Sequence, residues 1–347
     1  MATTNLDSAK LKAAAGGSWI HEDLMNQIWD ISSIPLEFSD RCGAESADNE
    51  YHEWTKDKLR TPDLTNARVD GADTTAANDT NVGTRLGNHC QISTKTVQIS
   101  SRADASDTVG SQNESAYQIV QRQRELRRDR EAIMLSNQGS VADDGNATAG
   151  TLASVFAFCT SNVNHGTGGS SPGFNTGTKL IGAVVAGTKR AMTETMVRDV
   201  LQSTYLNNGN PDTLMARPAL IRKFSEYCFT SSARIATLMN DEGSSDSPMT
   251  AKGSVNIFVT DFGISLKLIP NRLQPEVGGA GTQVTNVLLA DFSYIKIATL
   301  RGYQVEPLAK SGLSEKNQMS VDATLVVTNE EGIGAIYDID TTATVTT

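Results

Sequence analysis

Residues 39–112 hold few large aliphatic side chains, and a strongly charged segment with helical character, 114–135, follows almost directly. Burying so few apolar groups would not offset the entropy of ordering the run as a free domain. Its strands must therefore rest on another part of this chain or on another chain. The large apolar residues of the run are Tyr51, Trp54, Leu59, Leu64, Val69, Val82, Leu86, Ile92, Val97 and Ile99.

The segment 114–135 has a narrow apolar line, because Ile119, Leu126 and Ile133 recur at every seventh position. Its middle, RQRELRRDRE, contains five arginines and three acidic residues. This pattern predicts a helical strut that crosses a surface, with charged sides that contact other chains or the chain's own outlying arm. The spacing of Ser111 and Glu114 predicts a capping box at its start. Together the two segments indicate an assembly subunit rather than a free enzyme.

The run 39–112 is interpreted as a long two-stranded excursion with a turn-rich, mobile tip. Strand alternation puts His52, Trp54, Lys56 and Lys58 on one face of the outgoing limb and Tyr51, Glu53, Thr55 and Asp57 on the other. The returning limb carries Cys90 and Ile92, then Val97 and Ile99, at period-two spacing. A hairpin this long and polar is marginal in isolation, so a neighbouring subunit is expected to stabilise it.

Composition narrows the function classes. Aromatic residues make up only 5% of the chain, which argues against the aromatic-lined pocket of a typical enzyme. The net charge of −10 opposes phosphate binding by the surface as a whole. The sequence has no secretory signal and no long apolar span, and its cysteines are widely spaced, which predicts reduced thiols and synthesis in a cytosol. The cysteines are Cys42, Cys90, Cys159 and Cys228.

Motifs that carry chemistry are incomplete. The stretch from Gly182 to Lys189 resembles a phosphate loop, but threonine precedes lysine, the reverse of the required order, so a turn is the better interpretation. His21, His52, His89 and His165 are isolated from acidic or cysteine clusters, and no metal site is predicted. The acidic pairs Asp143–Asp144 and Glu330–Glu331 are interpreted as solvated loop residues. No catalytic residue, cofactor or metal is therefore predicted.

The second half of the chain predicts a globular lobe. Met196, Val197, Val200, Leu201 and Tyr205 form the apolar face of a helix that stops at 207–209, and a buried strand and a second helix beginning near Pro218 follow. The residues around 261–263 predict a hairpin, residues 284–300 further buried strands, and residues 317–339 a closing strand pair.

Seven segments in order resemble the major capsid proteins of tailed bacteriophages with the Hong Kong 97 fold. They are YHEWTKDKL with NARVDGAD, RLGNHCQI, AYQIVQRQRELRRDREAIML, TETMVRDVLQSTYLNNGNPDTLMARPALIRKFS, FVTDFGISLKLIPNR, VLLADFSYIKIATLRGYQVEPLAKSG and SVDATLVVTNEEG. The resemblance covers nearly the whole chain and is carried by the order of the segments. It implies an α+β fold with an N-terminal arm, an extended β-hairpin loop, a peripheral domain with a long spine helix, and an axial domain.

The resemblance also implies domain limits. The N-terminal arm is 1–38, the extended loop is 39–112, the first part of the peripheral domain is 113–190 with the spine helix at 114–135, the axial domain is 191–290, and the peripheral return strands and tail are 291–347. The loop and the spine are expected to supply the contacts between subunits. The expected interface residues are Trp54, Lys58, Arg60, Arg68, Asp70, Arg122, Arg124, Glu125, Arg128 and Asp129.

The implied function is that of a non-enzymatic shell subunit. Copies would form the hexamers and pentamers of an icosahedral head that encloses double-stranded DNA without reading its sequence. The implied partners are other copies of the chain, a scaffolding protein, a portal and a decoration protein, with no membrane, and assembly would occur in the host bacterial cytoplasm before the protein resides in the virion. The alternative is an encapsulin-type nanocompartment shell, and a hydrolase or nucleotide-binding enzyme is a more distant one.

Overall fold

The computed structural model describes residues 35–71, 73, 82–106, 113–230, 257–260, 262–276, 284–310 and 312–343, with the backbone alone for 225–230 and 257–259. The expected N-terminal arm, 1–38, lies outside these residues up to position 34. The arm's last residues, Leu36 and Phe38, are buried.

The described elements are five α-helices, fourteen strands and two 3₁₀ turns. The helices are α1 (Ser101–Asp104), α2 (Glu114–Met134), α3 (Val155–Phe158), α4 (Glu194–Leu206) and α5 (Pro218–Thr230). The strands are β1 (Gly43–Ser46), β2 (Tyr51–Lys56), β3 (Thr84–His89), β4 (Gln91–Ser100), β5 (Val163–Asn164), β6 (Phe174–Asn175), β7 (Leu180–Ile181), β8 (Thr213–Ala216), β9 (Ile257–Val259), β10 (Ser265–Pro270), β11 (Val284–Ala290), β12 (Ile295–Leu308), β13 (Ser314–Val327) and β14 (Gly334–Asp340). The 3₁₀ turns are Phe292–Tyr294 and Glu330–Gly332.

A four-stranded sheet in the order β1-β12-β13-β4 supports the long helix α2. Strand β13 pairs antiparallel with both β12 and β4, and β1 pairs parallel with β12. Leu126 is fully buried against Val97, Met319 and Val321 of the sheet. The predicted apolar line is therefore the line along which the helix rests on the sheet.

The start of α2 differs from the prediction. Asn113 caps the helix by accepting the Ala116 amide at 2.9 Å, and the Glu114 carboxylate accepts from Gln118 within the helix. Ser111 lies outside the described residues. Asparagine next to the first helical residue satisfies a free amide as well as serine does, so a capping box that begins at residue 111 is wrong.

The second sheet has six strands in the order β5-β14-β11-β8-β10-β9. Helices α4 and α5 pack against it. The predicted helices, buried strand and 261–263 hairpin all lie here, although Tyr205 is half-exposed and stacks on Phe262 instead of joining the core. The expected closing strand pair is wrong: β13 lies in the four-stranded sheet and β14 in the six-stranded sheet. Local strand patterns identify strands but not the sheet that each one joins.

The apolar island 152–159 fills the main core between the sheets. Its short helix α3 is fully buried, and the Tyr337 hydroxyl of β14 donates to the Phe156 carbonyl at 2.6 Å. The short helix is thus part of the interior, while the loop before it, 141–149, is exposed.

The two-stranded excursion is confirmed for an antiparallel pair from Tyr51 opposite His89 to Lys56 opposite Thr84, but the rest of the predicted returning limb, β4, pairs with β13 in the four-stranded sheet. The returning limb is interrupted at Cys90, which is buried and separates β3 from β4. The interruption changes which positions point inward, so Ile92 is 52% exposed while Val97 is buried. Cys90 and Ile92, although they lie at period-two spacing, therefore do not both face the interior.

Candidate assembly interface

The root of the hairpin rests on the body of its own chain. The Trp54 ring lies 5.9 Å from the Phe158 ring, between centroids. Asn88 is fully buried, where its amide donates to the Leu325 carbonyl and its oxygen accepts the Ala153 amide, both at 2.9 Å. Trp54, an expected interface residue, is thus used within the chain.

Two lysines continue this attachment, one at the end of the paired strands and one two residues beyond it. Lys56 Nζ lies 3.6 Å from Glu330 Oε1, and Lys58 Nζ lies 2.5 Å from Glu331 Oε2. Glu330 also accepts from the Ser161 hydroxyl at 2.8 Å and is buried. The interpretation of these acids as solvated loop residues is wrong, because they are the points on the body that bind the hairpin.

The hairpin tip is the part of the chain between β2 and β3, of which the structure describes 57–71, 73 and 82–83. By contrast with the root, it exposes its apolar side chains. Leu59 is 94% exposed and Leu64 is 97% exposed, and Val69 and Val82 are exposed as well. Isolated exposed apolar groups are common, but four beyond the paired strands of one hairpin indicate a surface that another molecule covers. The expected interface residues Arg60, Arg68 and Asp70 are also exposed on this segment.

The charged middle of α2 divides into two sets of residues. Arg122 pairs with Glu125 at 2.5 Å within the helix, and Asp129 pairs with Lys95 of β4 at 2.7 Å. These three expected interface residues therefore have partners in their own chain. Arg124 and Arg128 lie on the side of the helix away from Leu126, where Arg124 is exposed and Arg128 is partly exposed, and Arg124 too has an interaction within the chain.

Sequence reasoning missed Glu131, the most deeply buried acid of α2. Its carboxylate accepts the amides of Phe38 and Ser39 and the side-chain amide of Asn271, each at 2.8 Å. Glu131 therefore joins the spine helix to the chain's incoming segment and to the residue after β10. Buried Met134 and Leu135, at i+3 and i+4, lie on the same helical face and were the signal that could have found it.

Burial disfavours the thiolate form of the described cysteines. Burial, with smaller contributions from Asp322 and Glu50, raises the pKa of Cys90 to about 12. Burial likewise raises the pKa values of Cys42 and Cys159 well above the usual thiol range. Thiolate chemistry needs a lowered pKa, so these residues serve packing.

The phosphate-loop resemblance has a structural explanation. The amides of Gly166 and Gly187 donate to the two carboxylate oxygens of Asp338, at 3.1 and 3.0 Å. The glycines permit a close crossing of two backbone segments, which Asp338 holds together. Within the stretch itself, the Gly187 amide donates to Asp338, and the amides of Gly182, Val184, Val185 and Thr188 donate to backbone carbonyls, so they are not open to a phosphate.

The other candidates for a chemical site also show only structural contacts. His165 stacks on Tyr337 with centroids 4.1 Å apart and lies 3.3 Å from the Ser171 hydroxyl. Among the residues that the structure describes, no three His, Cys, Asp or Glu side chains converge as a metal site would require. The described helices also include none with the length and apolarity to cross a bilayer. The distinctive surfaces are therefore the hairpin tip and the outer side of α2.

A comparison with protein families decides the identity, since residues 2–340 match the family described as SU10 major capsid protein. The chain belongs to that family. As a major capsid protein it is a structural component of a virion. The predicted resemblance to phage capsid proteins is confirmed over nearly the full length.

Solved structures similar to the capsid protein include shells of several kinds. The capsid of a native GTA particle aligns with a TM-score of 0.57 at 12% identity, over 97% of this chain and 100% of that chain. The SrpI encapsulin of Synechococcus elongatus PCC 7942 gives 0.56 at 12% identity over 99% of both chains. A structure of Mycobacterium phage Adephagia gives 0.51 at 10% identity, over 98% and 100%. No curated protein matches the capsid protein. At these identities the likeness concerns the fold alone, and it confirms the predicted α+β fold of the Hong Kong 97 type.

Proposed function

We propose that this capsid protein polymerises into hexamers and pentamers that close as the icosahedral head of a tailed bacteriophage and enclose double-stranded DNA. It catalyses no reaction. The observation that carries the proposal is the hairpin tip, whose Leu59 and Leu64 are almost fully exposed on a segment fixed to the body at its root. Family membership supplies the capsid role itself.

The tip of one copy docks on helix α2 of the next copy. Such a contact joins two different surfaces, and repetition around a ring closes it without a special end subunit. Arg124 and Arg128 lie on the outer side of α2, where they can meet Asp63 or Asp70 of the incoming tip. Lys58, Arg122, Glu125 and Asp129, whose ion pairs lie within the chain, fix the shape of the two surfaces.

The sheets correspond to the domains of the fold. The four-stranded sheet with α2 forms the peripheral domain, which includes the return strands β12 and β13. The six-stranded sheet with α4 and α5 forms the axial domain of 191–290. We assign β14 to the axial domain as well, because it pairs with β11.

The acidity of the protein suits an enclosing shell. A net charge of −10 repels a polyanion at the surface as a whole, so DNA can move against the shell during filling. A scaffolding protein, a portal and a decoration protein are the further partners that we infer for assembly in the host bacterial cytoplasm.

An encapsulin-type nanocompartment is the second candidate, since the SrpI encapsulin has a similar fold. Such a shell would hold protein cargo in place of DNA. The match of residues 2–340 to a major capsid protein family favours the phage head.

Electron microscopy of the protein, purified after co-expression with its scaffolding protein, tests the function. We expect closed shells, and, when the shells form during phage infection, an absorbance ratio at 260 and 280 nm that indicates packaged nucleic acid. Shells filled with protein alone would support the nanocompartment, and a soluble monomer at high concentration would overturn both. The variant Leu59→Asp with Leu64→Asp should leave thermal unfolding unchanged and abolish shells, because both side chains are exposed in the free subunit.

A further inference from the structure

The attachment between the hairpin and the body has an unusual regularity. Lys56 is the last residue of β2 and Lys58 follows two residues later, and both side chains reach the same turn of the body. They pair with two consecutive carboxylates, Glu330 at 3.6 Å and Glu331 at 2.5 Å. The side chains of the two acids are only 11% and 17% exposed, which reduces the screening that weakens surface ion pairs.

The two acids belong to the turn that joins the sheets. The 3₁₀ turn Glu330–Gly332 lies between β13 of the four-stranded sheet and β14 of the six-stranded sheet. Asn329 caps this turn by accepting the Glu331 amide at 3.2 Å. The hairpin is therefore attached at the covalent connection between the two halves of the molecule.

A buried asparagine links the same turn to helix α4. The Asn162 amide donates to the Glu331 carbonyl at 2.7 Å, and its oxygen accepts from Ser203 at 2.9 Å and from Asn207 at 2.8 Å. Lys58 also donates to the Asn207 oxygen at 3.4 Å. The hairpin is thus held both by the turn between the two sheets and by the C-terminal end of α4.

The turn holds its shape without the lysines. Glu330 accepts the amides of Thr160 and Ser161, at 3.3 and 3.2 Å, in addition to the Ser161 hydroxyl. These neutral donors stabilise the ionised carboxylate, so it is not left unpaired when Lys56 moves away. The lysine contacts accordingly set the angle of the hairpin, and they are not needed to keep the turn folded.

We propose that Glu330 and Glu331 are positioning residues, which hold Lys56 and Lys58 so that the hairpin tip reaches the neighbouring copy at one fixed angle. This inference rests on the proposed function, because the tip must dock on another copy. Its consequence is that weakening the attachment changes the curvature and uniformity of shells before it changes the fold of the subunit.

Charge reversal and its rescue test the proposal. Glu331→Lys should give shells of mixed size or open sheets, and Lys58→Glu should do the same. The double variant Lys58→Glu with Glu331→Lys restores the attraction with exchanged charges and should restore uniform shells by electron microscopy. Uniform shells from both single variants, or a double variant as defective as the sum of the single ones, would overturn the proposal.

Hydrogen exchange on free subunits keeps the inference separate from the proposed function. In Glu331→Lys we expect amides at the Lys56 end of β2 and β3 to exchange about fivefold faster, the effect of losing about 1 kcal/mol from a partly buried pair. The matched control is Glu276→Lys, since Glu276 is 14% exposed and pairs with Arg217 at 3.2 Å in the six-stranded half. The control should leave exchange in the hairpin unchanged. If hairpin amides exchange faster in Glu331→Lys but the unaltered protein forms no shells, the proposed function alone is contradicted. If Glu331→Lys and the unaltered chain exchange equally, the positioning role is contradicted.

Discussion

The Glu131 carboxylate accepts the backbone amide of Phe38 at 2.8 Å in the interior of the protein. The spine helix therefore holds the chain at the place where the N-terminal segment enters the fold. Asn271, beyond β10, donates to the same carboxylate oxygen at 2.8 Å. One acidic side chain thus connects the spine, the incoming chain and the six-stranded half.

Replacing this carboxylate should destabilise the subunit strongly. Glu131→Gln places an amide group against the amides of Phe38 and Ser39, which can no longer both find an acceptor. We expect the free energy of unfolding to fall by about 3 kcal/mol, measured by chemical denaturation. Glu125→Gln, a partly exposed acid of the same helix, should change it by less than about 1 kcal/mol. Equal effects of the two variants would show that Glu131 does not hold these segments together.

Leu126 anchors the middle of α2, so a charge there should prevent folding. Leu126→Asp buries a carboxylate among Val97, Met319 and Val321, which costs several kcal/mol without a partner. We expect insoluble or unfolded subunits by circular dichroism, and a loss of about 2–5 kcal/mol for Leu126→Ala. Val120→Asp is the control, because Val120 lies on the same helix and is largely exposed. A soluble Leu126→Asp subunit with native thermal stability would contradict the packing of α2 on the four-stranded sheet through Leu126.

The outer arginines of α2 should affect assembly more than folding. Arg124→Glu with Arg128→Glu reverses charge on the side of the helix that we propose to meet a neighbouring tip. Each exposed pair is worth under about 1 kcal/mol, but the change is repeated in every copy of a shell. We expect unchanged thermal unfolding and a large loss of particles on a sucrose gradient. Normal particle yield would exclude this face as a contact between copies.

Acid should weaken the subunit partly through His165. Burial lowers the pKa of its imidazole, while Asp338 raises it and Arg190 lowers it further. The unfolded chain therefore binds a proton near pH 6.5, before the folded chain does. The free energy of unfolding should thus fall as the pH drops below about 6.5, and stop falling below the folded pKa. His165→Gln should flatten this part of a pH series of denaturation curves, and an unchanged slope would contradict the prediction.

The sequence predicts the elements that local patterns control. The line of Ile119, Leu126 and Ile133 places α2 on its sheet, and the poverty of 39–112 in apolar residues predicts a hairpin that needs support. The role of Glu131 could not be read from the charged run around it, because burial depends on distant Phe38 and Asn271. The interpretation of Glu330 and Glu331 as solvated residues was wrong for the same reason, since the lysines that bind them are far away in sequence. The sheet membership of β14 is also set by long-range pairing.

The most direct test of the account is a reconstruction of assembled shells by electron cryomicroscopy, at a resolution that traces the hairpin. The account predicts that the tip around Leu59 and Leu64 lies on helix α2 of a neighbouring copy, with both leucines buried there. Density that places the tip on its own subunit, or leaves it in solvent in every copy of the shell, would contradict the claim that this hairpin joins one copy to the next.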